Sequence, residues 1–180
     1  MLVYILIGLA VVVAGFLALV AAQPAGFRIS RSTLVAAPPE VVFAEINDLR
    51  CWNDWSPWAK LDPQMEQHYE GPPTGVGAVS RWKGNAQVGE GRMEITESSS
   101  PEFVTIQLDF IKPFQATNFA QFVLESPGHR QTSVTWAMSG RRNFMMKLFH
   151  LLMNVDKMLG KQFDQGLSQL KEVAERAART

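Results

Sequence analysis

The sequence has little of what usually builds a disulfide framework, a metal site or a nucleic-acid surface. It contains one cysteine among 180 residues, and its 17 lysine and arginine residues are balanced by 17 aspartate and glutamate residues. A single cysteine excludes an intrachain disulfide and any metal site made of several cysteines. The balanced charge gives no reason to expect a nucleic-acid partner, which normally requires a basic surplus.

The motifs of common catalytic sites are also missing. No G-x-S-x-G, H-E-x-x-H, Walker A or C-x-x-C pattern occurs. His68, His129 and His150 fall in different predicted elements, so no metal site is expected. Cys51, next to Trp52, is interpreted as a small buried hydrophobic residue rather than a nucleophile. The sequence thus predicts no catalytic residue, metal or cofactor, and leaves open whether the protein is an enzyme.

Charge is absent from residues 1–27, and this stretch contains a long apolar run. The 21 residues from Leu2 to Ala22 would form a helix of about 30 Å, which matches the hydrocarbon core of a bilayer. A cleaved signal peptide is the alternative, but the run exceeds a typical signal core and no basic residue precedes it. We therefore expect a transmembrane anchor over 1–23 and one domain over 24–180. Arg28 and Arg31 follow the span, which predicts a single-pass cell-membrane protein with a cytoplasmic C-terminal domain.

Residues 28–180 show the pattern of an antiparallel sheet enclosed by helices. Apolar alternation predicts a first strand over 27–35, although Arg31 shares its apolar phase. Pro38-Pro39 starts a short helix, and a tryptophan-rich segment covers 51–61. Short turns then separate strands predicted over 65–70, 76–83, 87–96, 103–110, 117–125 and 131–139. Links this short favour antiparallel neighbours, with one dry and one wet face.

Two glycine-rich segments are interpreted as turns. Gly75-Val76-Gly77 and Gly89-Glu90-Gly91 lead into strands rather than helix N-termini, so neither presents a phosphate-binding loop.

The C-terminal part changes to helical periodicity from Phe144 onwards. Asn154, Gly160 and Gly166 interrupt its apolar stripe, so two helical pieces are expected. The order of elements predicts an α+β fold in which a curved sheet wraps around the C-terminal helix.

Several stretches resemble the SRPBCC (START-like) superfamily of helix-grip proteins, in particular its polyketide cyclase/dehydrase and lipid-transport branch. The resemblance covers essentially all of 28–180. It rests on Ala37-Pro38-Pro39-Glu40-Val41-Val42-Phe43, Trp52-Asn53-Asp54-Trp55-Ser56-Pro57-Trp58, Gly75-Val76-Gly77-Ala78 with Trp82 and Gly84-Asn85, Val88-Gly89-Glu90-Gly91 with Met93, and the run from Met158-Leu159-Gly160-Lys161 to Gly166-Leu167.

The resemblance implies a helix-grip fold of about seven strands with an apolar cavity between the sheet and the C-terminal helix. Such a cavity would hold a lipid or another hydrophobic small molecule. The residues expected to line it are Trp55, Trp58, Trp82, Met93, Ile95, Ile106, Leu108, Phe110, Val134, Trp136, Met138, Leu148, Leu152, Leu159 and Phe163.

Three functions remain open from the sequence because the fold serves several activities. The first is a membrane-anchored module that binds a hydrophobic small molecule. The second is a cyclase/dehydrase-type enzyme, which requires polar groups on the dry face, where only Arg31 and Thr132 are identified. The third is an interaction domain whose aromatic side chains fill the core completely.

Two surfaces carry alternative interpretations. Trp52, Trp55 and Trp58 either close the open end of the core or line the pocket entrance or the lipid interface. The apolar residues of 144–159 exceed one helix face, and their surplus suits a lid or a membrane-docking surface. Arg141, Arg142 and Lys147 then meet anionic headgroups; otherwise they form a solvated cap.

Overall fold

The N-terminal apolar run forms one helix, α1 (Leu2–Ala22), whose side chains are almost all exposed. The structure is a computed structural model that describes residues 1–128, 130–152 and 155–179. Within these residues α1 is the one helix long and apolar enough to cross a membrane. Val20, near its end, is the buried exception. Length and composition alone leave membrane anchor and signal sequence both possible for α1.

Seven antiparallel strands form one sheet in the described part of the chain. They are β1 (Gly26–Val35), β2 (Glu66–Glu70), β3 (Val79–Lys83), β4 (Glu90–Ser99), β5 (Phe103–Lys112), β6 (Ala116–Gly128) and β7 (Gln131–Arg141). Their order is β1-β7-β6-β5-β4-β3-β2, so the first strand pairs with the last. The predicted α+β helix-grip architecture with a curved sheet of seven strands is confirmed.

Four helices accompany the sheet in the described residues. They are α2 (Pro39–Asn47), α3 (Trp52–Trp55), α4 (Phe144–Leu152) and α5 (Val155–Ala177). Pro39 occupies the first turn of α2, where a missing N–H costs no hydrogen bond. Trp58 lies beyond α3, so the three tryptophans do not share one helix face.

The predicted break of the C-terminal segment near Asn154 lies outside the described residues, and the glycines do not break the helix that follows. Gly160 and Gly166 lie within the continuous α5. At Gly166 a Cβ atom would stand 2.8 Å from Cζ3 of Trp136 and 3.0 Å from Cδ of Pro57. Glycine here allows the close approach of helix to sheet.

Arg31, on the apolar phase of β1, is accommodated by α5. Its guanidinium lies against Gly160, where a larger residue would clash, and forms an ion pair with Asp164 at 3.5 Å. The basic residue is therefore half-buried at the edge of the core.

The two faces of the sheet differ as the alternation predicts. Ile95, Ile106 and Val134 are fully buried on the concave face. The convex face carries ion pairs, among them Arg81–Glu70 at 2.8 Å and Arg92–Asp109 at 3.8 Å.

The glycine-rich segments are turns and an irregularity in the sheet. Gly75, Gly77 and Gly89 have φ values of 77, 87 and 73 degrees, which favour glycine. The β4–β5 register shifts between Glu90 and Gly91. Val76, within the strand predicted over 76–83, lies before β3 and is exposed.

Candidate functional site

One half of the concave face is filled by stacked aromatic rings beneath α5. The Trp136 ring on β7 lies between Phe163 of α5, at a centroid distance of 4.3 Å, and Phe122 of β6, at 4.9 Å. Trp52 and Trp55 meet it edge-on at 6.3 and 5.9 Å. The helix α5 lies mainly over β1 and also contacts β7, α2 and α3. It therefore covers this half of the sheet and presses the rings together.

The other half of the concave face, beside β3 to β6, contains a cavity of about 260 Å³. Trp82, Met93, Leu108 and Phe110 form the sheet side of its wall. The Trp82 and Phe110 rings meet edge-to-face at 5.8 Å. Gln67 of β2, Ala120 of β6, and Trp136 and Met138 of β7 extend the sheet side. The lining residues outside the sheet are Trp52, Asn53, Ser56, Trp58, Ala59 and Met65, with the turn residues below.

The mouth of the cavity is formed by two turns. Gln87 and Val88 come from the β3–β4 turn, and Lys112 and Pro113 come from the β5–β6 hairpin. Gln87, Lys112 and Pro113 are exposed, so the cavity reaches the surface here; the other exposed lining residue is Asn53, on the α3 side.

The predicted cavity residues separate into three groups. Those that line the cavity are Trp58, Trp82, Met93, Leu108, Phe110, Trp136 and Met138. Those buried in the packed core are Trp55, Ile95, Ile106, Val134 and Phe163. Leu159 packs on the core from α5, Leu148 is half-buried on α4, and the Leu152 side chain lies outside the described residues.

The cavity therefore lies beside α5 rather than beneath it. The resemblance placed it between the sheet and the C-terminal helix, but none of the described residues of that helix lines it. The reason is the position of α5 over the β1 side of the sheet, where Phe163 stacks on Trp136. The segment from α3 to Ala59 covers the remaining space instead.

The polar and turn residues of the wall were not predicted from the sequence. Met65 and Gln67 share a phase with Tyr69, an alternation that would have indicated an inward face. Gln87 and Val88 carry no such signal, because residues of an irregular turn have no period that shows where they point.

Two tryptophans of the cavity wall, Trp52 and Trp82, and the adjacent core residue Trp55 have fixed orientations. The indole N–H groups of Trp52 and Trp55 donate to the carbonyl oxygens of Ile46, at 2.9 Å, and Glu45, at 3.2 Å. The N–H of Trp82 donates to the carbonyl of Val88 at 3.4 Å. Each bond holds an indole ring through the backbone of another element, which shapes the wall.

The two polar residues predicted on the dry face do not reach the cavity. Thr132 donates to the Ala37 carbonyl at 2.7 Å, and Arg31 pairs with Asp164. Polar groups in the wall come instead from Asn53, Ser56, Gln67, Gln87 and Lys112.

Titratable groups near the site offer no activated nucleophile. Burial, followed by the nearby carboxylates of Glu45, Asp48 and Asp54, raises the pKa of Cys51 to about 11. The thiol is therefore protonated at neutral pH and is a poor nucleophile. No group of histidine, cysteine, aspartate and glutamate suited to a metal is found among the described residues, from which His129 is absent.

The sheet, the helix arrangement and the cavity together define a helix-grip domain with an internal apolar site. Residues 26–175 match the family described as polyketide cyclase / dehydrase and lipid transport. The chain belongs to this family, which lies within the superfamily that the sequence resembles. No curated protein matches the chain.

Solved structures show the same fold at low sequence identity. The Zhui aromatase/cyclase from Streptomyces sp. R1128 superposes with a TM-score of 0.63 and 13% identity, over 86% of this chain and 97% of that chain. The Aha1 dimer from Colwellia psychrerythraea gives 0.59 and 16%, over 83% and 96%. Protein CV1439 from Chromobacterium violaceum gives 0.58 and 16%, over 85% and 99%. These likenesses establish the fold alone.

Proposed function

We propose that the domain binds a lipid or another hydrophobic small molecule in its cavity and that α1 anchors it to the cell membrane. The cavity of about 260 Å³ carries this proposal. A dry apolar cavity of about 150 Å³ holds benzene, and ligand pockets begin near 300 Å³. The site therefore suits a small or slender apolar molecule. Its existence argues against a completely filled core.

The exposed side chains of α1 support the anchor. The helix is 21 residues long, and 6% of its most apolar window is buried by the rest of the chain. A bare apolar surface of this size is unfavourable in water and is satisfied by lipid. Arg28 and Arg31 near its C-terminal end favour a cytoplasmic domain. A compartment-specific reporter fused to the C-terminus tests this orientation, and activity outside the cell would contradict it.

Photo-crosslinking tests ligand binding with the full chain in lipid nanodiscs. The probe is a fatty acid that carries a diazirine on its alkyl chain, and the labelled residues are mapped by peptide mass spectrometry. We expect adducts on Met65, Met93 and Phe110, which face the cavity.

A matched pair of variants makes this experiment specific. Ala59→Phe places a ring in the cavity, whereas Ala44→Phe places the same ring on the exposed side of α2. Filling the cavity should abolish the cavity adducts, and the α2 variant should label like the wild type. Full labelling of Ala59→Phe would contradict the proposal.

A cyclase/dehydrase-type activity is the second candidate, and polar side chains in the wall favour it. Asn53, Gln67 and Gln87 supply amide groups at the cavity, which suit carbonyl oxygens along a folded poly-carbonyl chain. The family and the structural likeness to an aromatase/cyclase are compatible with this role. Incubation with a linear poly-β-ketone thioester tests it: a cyclised product lost in Gln67→Leu but retained in Gln64→Leu supports an enzyme.

A further inference from the structure

The cavity mouth and the C-terminal end of α1 lie at the same end of the sheet. Three residues separate Ala22 from Gly26, a reach of at most about 14 Å. Gly26 pairs with Arg141, and the end of β7 pairs with the start of β6. The β5–β6 hairpin is therefore at this end. Lys112 of that hairpin pairs with Glu90, which also brings the β3–β4 turn there. These two turns form the mouth.

The helix α4 is also held at this end, against the last turn of α1. Lys147 Nζ donates to the carbonyl oxygen of Ala21 at 2.9 Å. This carbonyl is one of the last four of α1, which have no partner within the helix and favour a cation. The backbone N–H of Arg142 donates to the Ala25 carbonyl at 2.6 Å. Both bonds place α4 at the depth where a membrane-spanning α1 would leave the bilayer.

Apolar side chains at this end are exposed. Phe114, at the tip of the β5–β6 hairpin, is 70% exposed, and Met145 of α4 is 64% exposed. Phe144 and Phe149 of α4 are also exposed. No acidic residue occurs between Glu125 and Asp156, whereas Arg141 and Lys147 flank these side chains. Exposed rings with adjacent basic residues are typical of a surface that meets anionic lipid.

We propose that α4 and the Phe114 hairpin dock on the surface of the bilayer that holds α1, so that the cavity mouth opens directly onto lipid. This inference rests on the anchor in the proposed function and adds the docking partner, a bilayer with anionic headgroups. A hydrophobic molecule then moves between membrane and cavity without crossing water. The orientation of the domain on the bilayer follows because α1, α4 and both mouth turns lie at the same end of the domain.

Nitroxide accessibility tests the docking in the full chain. The protein is placed in nanodiscs of phosphatidylcholine with a minority of phosphatidylglycerol, in a Cys51→Ser background. Spin labels are attached through Phe114→Cys and Met145→Cys. The control is Val76→Cys. Val76 is apolar, is 57% exposed and lies at the opposite end of the sheet. We expect the ratio of oxygen to nickel-complex accessibility to be severalfold higher at 114 and 145 than at 76.

A change of lipid charge tests the basic residues. In pure phosphatidylcholine, or with Arg141→Gln, the immersed fraction at position 114 should fall about fivefold. Equal immersion in both lipids would overturn the assignment of an anionic partner.

Two readouts from the same samples separate this inference from the proposed function. Resistance to carbonate extraction reports the anchor, and fatty-acid crosslinking reports the cavity. If both are positive while labels at 114, 145 and 76 are equally accessible to nickel, docking is wrong and the proposed function stands. If carbonate extracts the chain, the anchor and the docking are both wrong.

Discussion

The two halves of the concave sheet face carry similar apolar side chains, but one half is filled and the other contains a cavity. Under α5, the rings of Trp136, Phe122 and Phe163 stack at centroid distances of 4.3 and 4.9 Å, and Phe122 and Phe163 are fully buried. Beside α5, Trp82 and Phe110 meet edge-on, and a cavity of about 260 Å³ remains. Composition does not distinguish the halves. The difference is whether a helix lies directly above the strand.

This comparison shows where stability and binding reside in the domain. Because the filled half is densely packed, each of its residues contributes more dispersion and hydrophobic stabilisation than a residue of the hollow half. The hollow half keeps several lining residues only partly buried, so changes there cost less stability. Residues of the binding site can thus be substituted at little cost in stability, whereas residues of the adjacent packed core cannot.

Matched phenylalanine truncations should give the largest contrast. Phe163→Ala removes a fully buried ring and should lower the free energy of unfolding by about 3–5 kcal/mol, because it leaves a cavity in the stack. Phe110→Ala, in the partly buried cavity wall, should cost only about 1 kcal/mol. Urea unfolding of the full chain in detergent micelles, followed by near-UV circular dichroism, measures both. Equal losses would contradict the division into filled and hollow halves.

A smaller change tests how closely α5 must approach the filled half. Gly166→Ala should destabilise the domain by about 1–3 kcal/mol, because the added Cβ would press on Trp136 and Pro57. Ser168→Ala, at an exposed position of the same helix, should change stability by less than about 0.5 kcal/mol. A Gly166→Ala variant as stable as Ser168→Ala would show that the helix shifts freely.

The smallest effect is expected from a carboxylate at the margin of the filled half. Burial raises the pKa of Glu45, and Asp54 and Asp48 add repulsion. The folded state therefore holds this proton more tightly than the unfolded state, so the ionised form opposes folding at neutral pH. Glu45→Gln should raise the thermal midpoint at pH 7.

The pH dependence provides the check on this last prediction. The advantage of Glu45→Gln should shrink as the pH falls from the raised folded-state pKa of Glu45 towards the ordinary glutamate pKa, and should vanish below it, because the wild-type carboxyl is then protonated in both states. Glu40→Gln, which removes an exposed carboxylate from the first turn of the same helix, should give no such gain. A constant advantage at all pH values would indicate another cause.

Much of the fold was predictable because local periodicity encodes it. Alternation in β5 and β7 located both strands to within two residues at each end, and short turns required antiparallel pairing. The helix α1 was predicted from the length and lack of charge of its apolar run rather than from a period. The role of Gly166 was not predictable, because its neighbour Trp136 is distant in sequence.

The sequence by itself determined which side chains face inward, through periods of two and 3.6 residues. Only the tertiary structure decided which inward residues meet a cavity. Phe163 and Phe110 are both inward and aromatic, yet one stacks on Trp136 and the other faces open space. The distinction depends on where α5 crosses the sheet, and that position results from contacts between residues far apart in the chain.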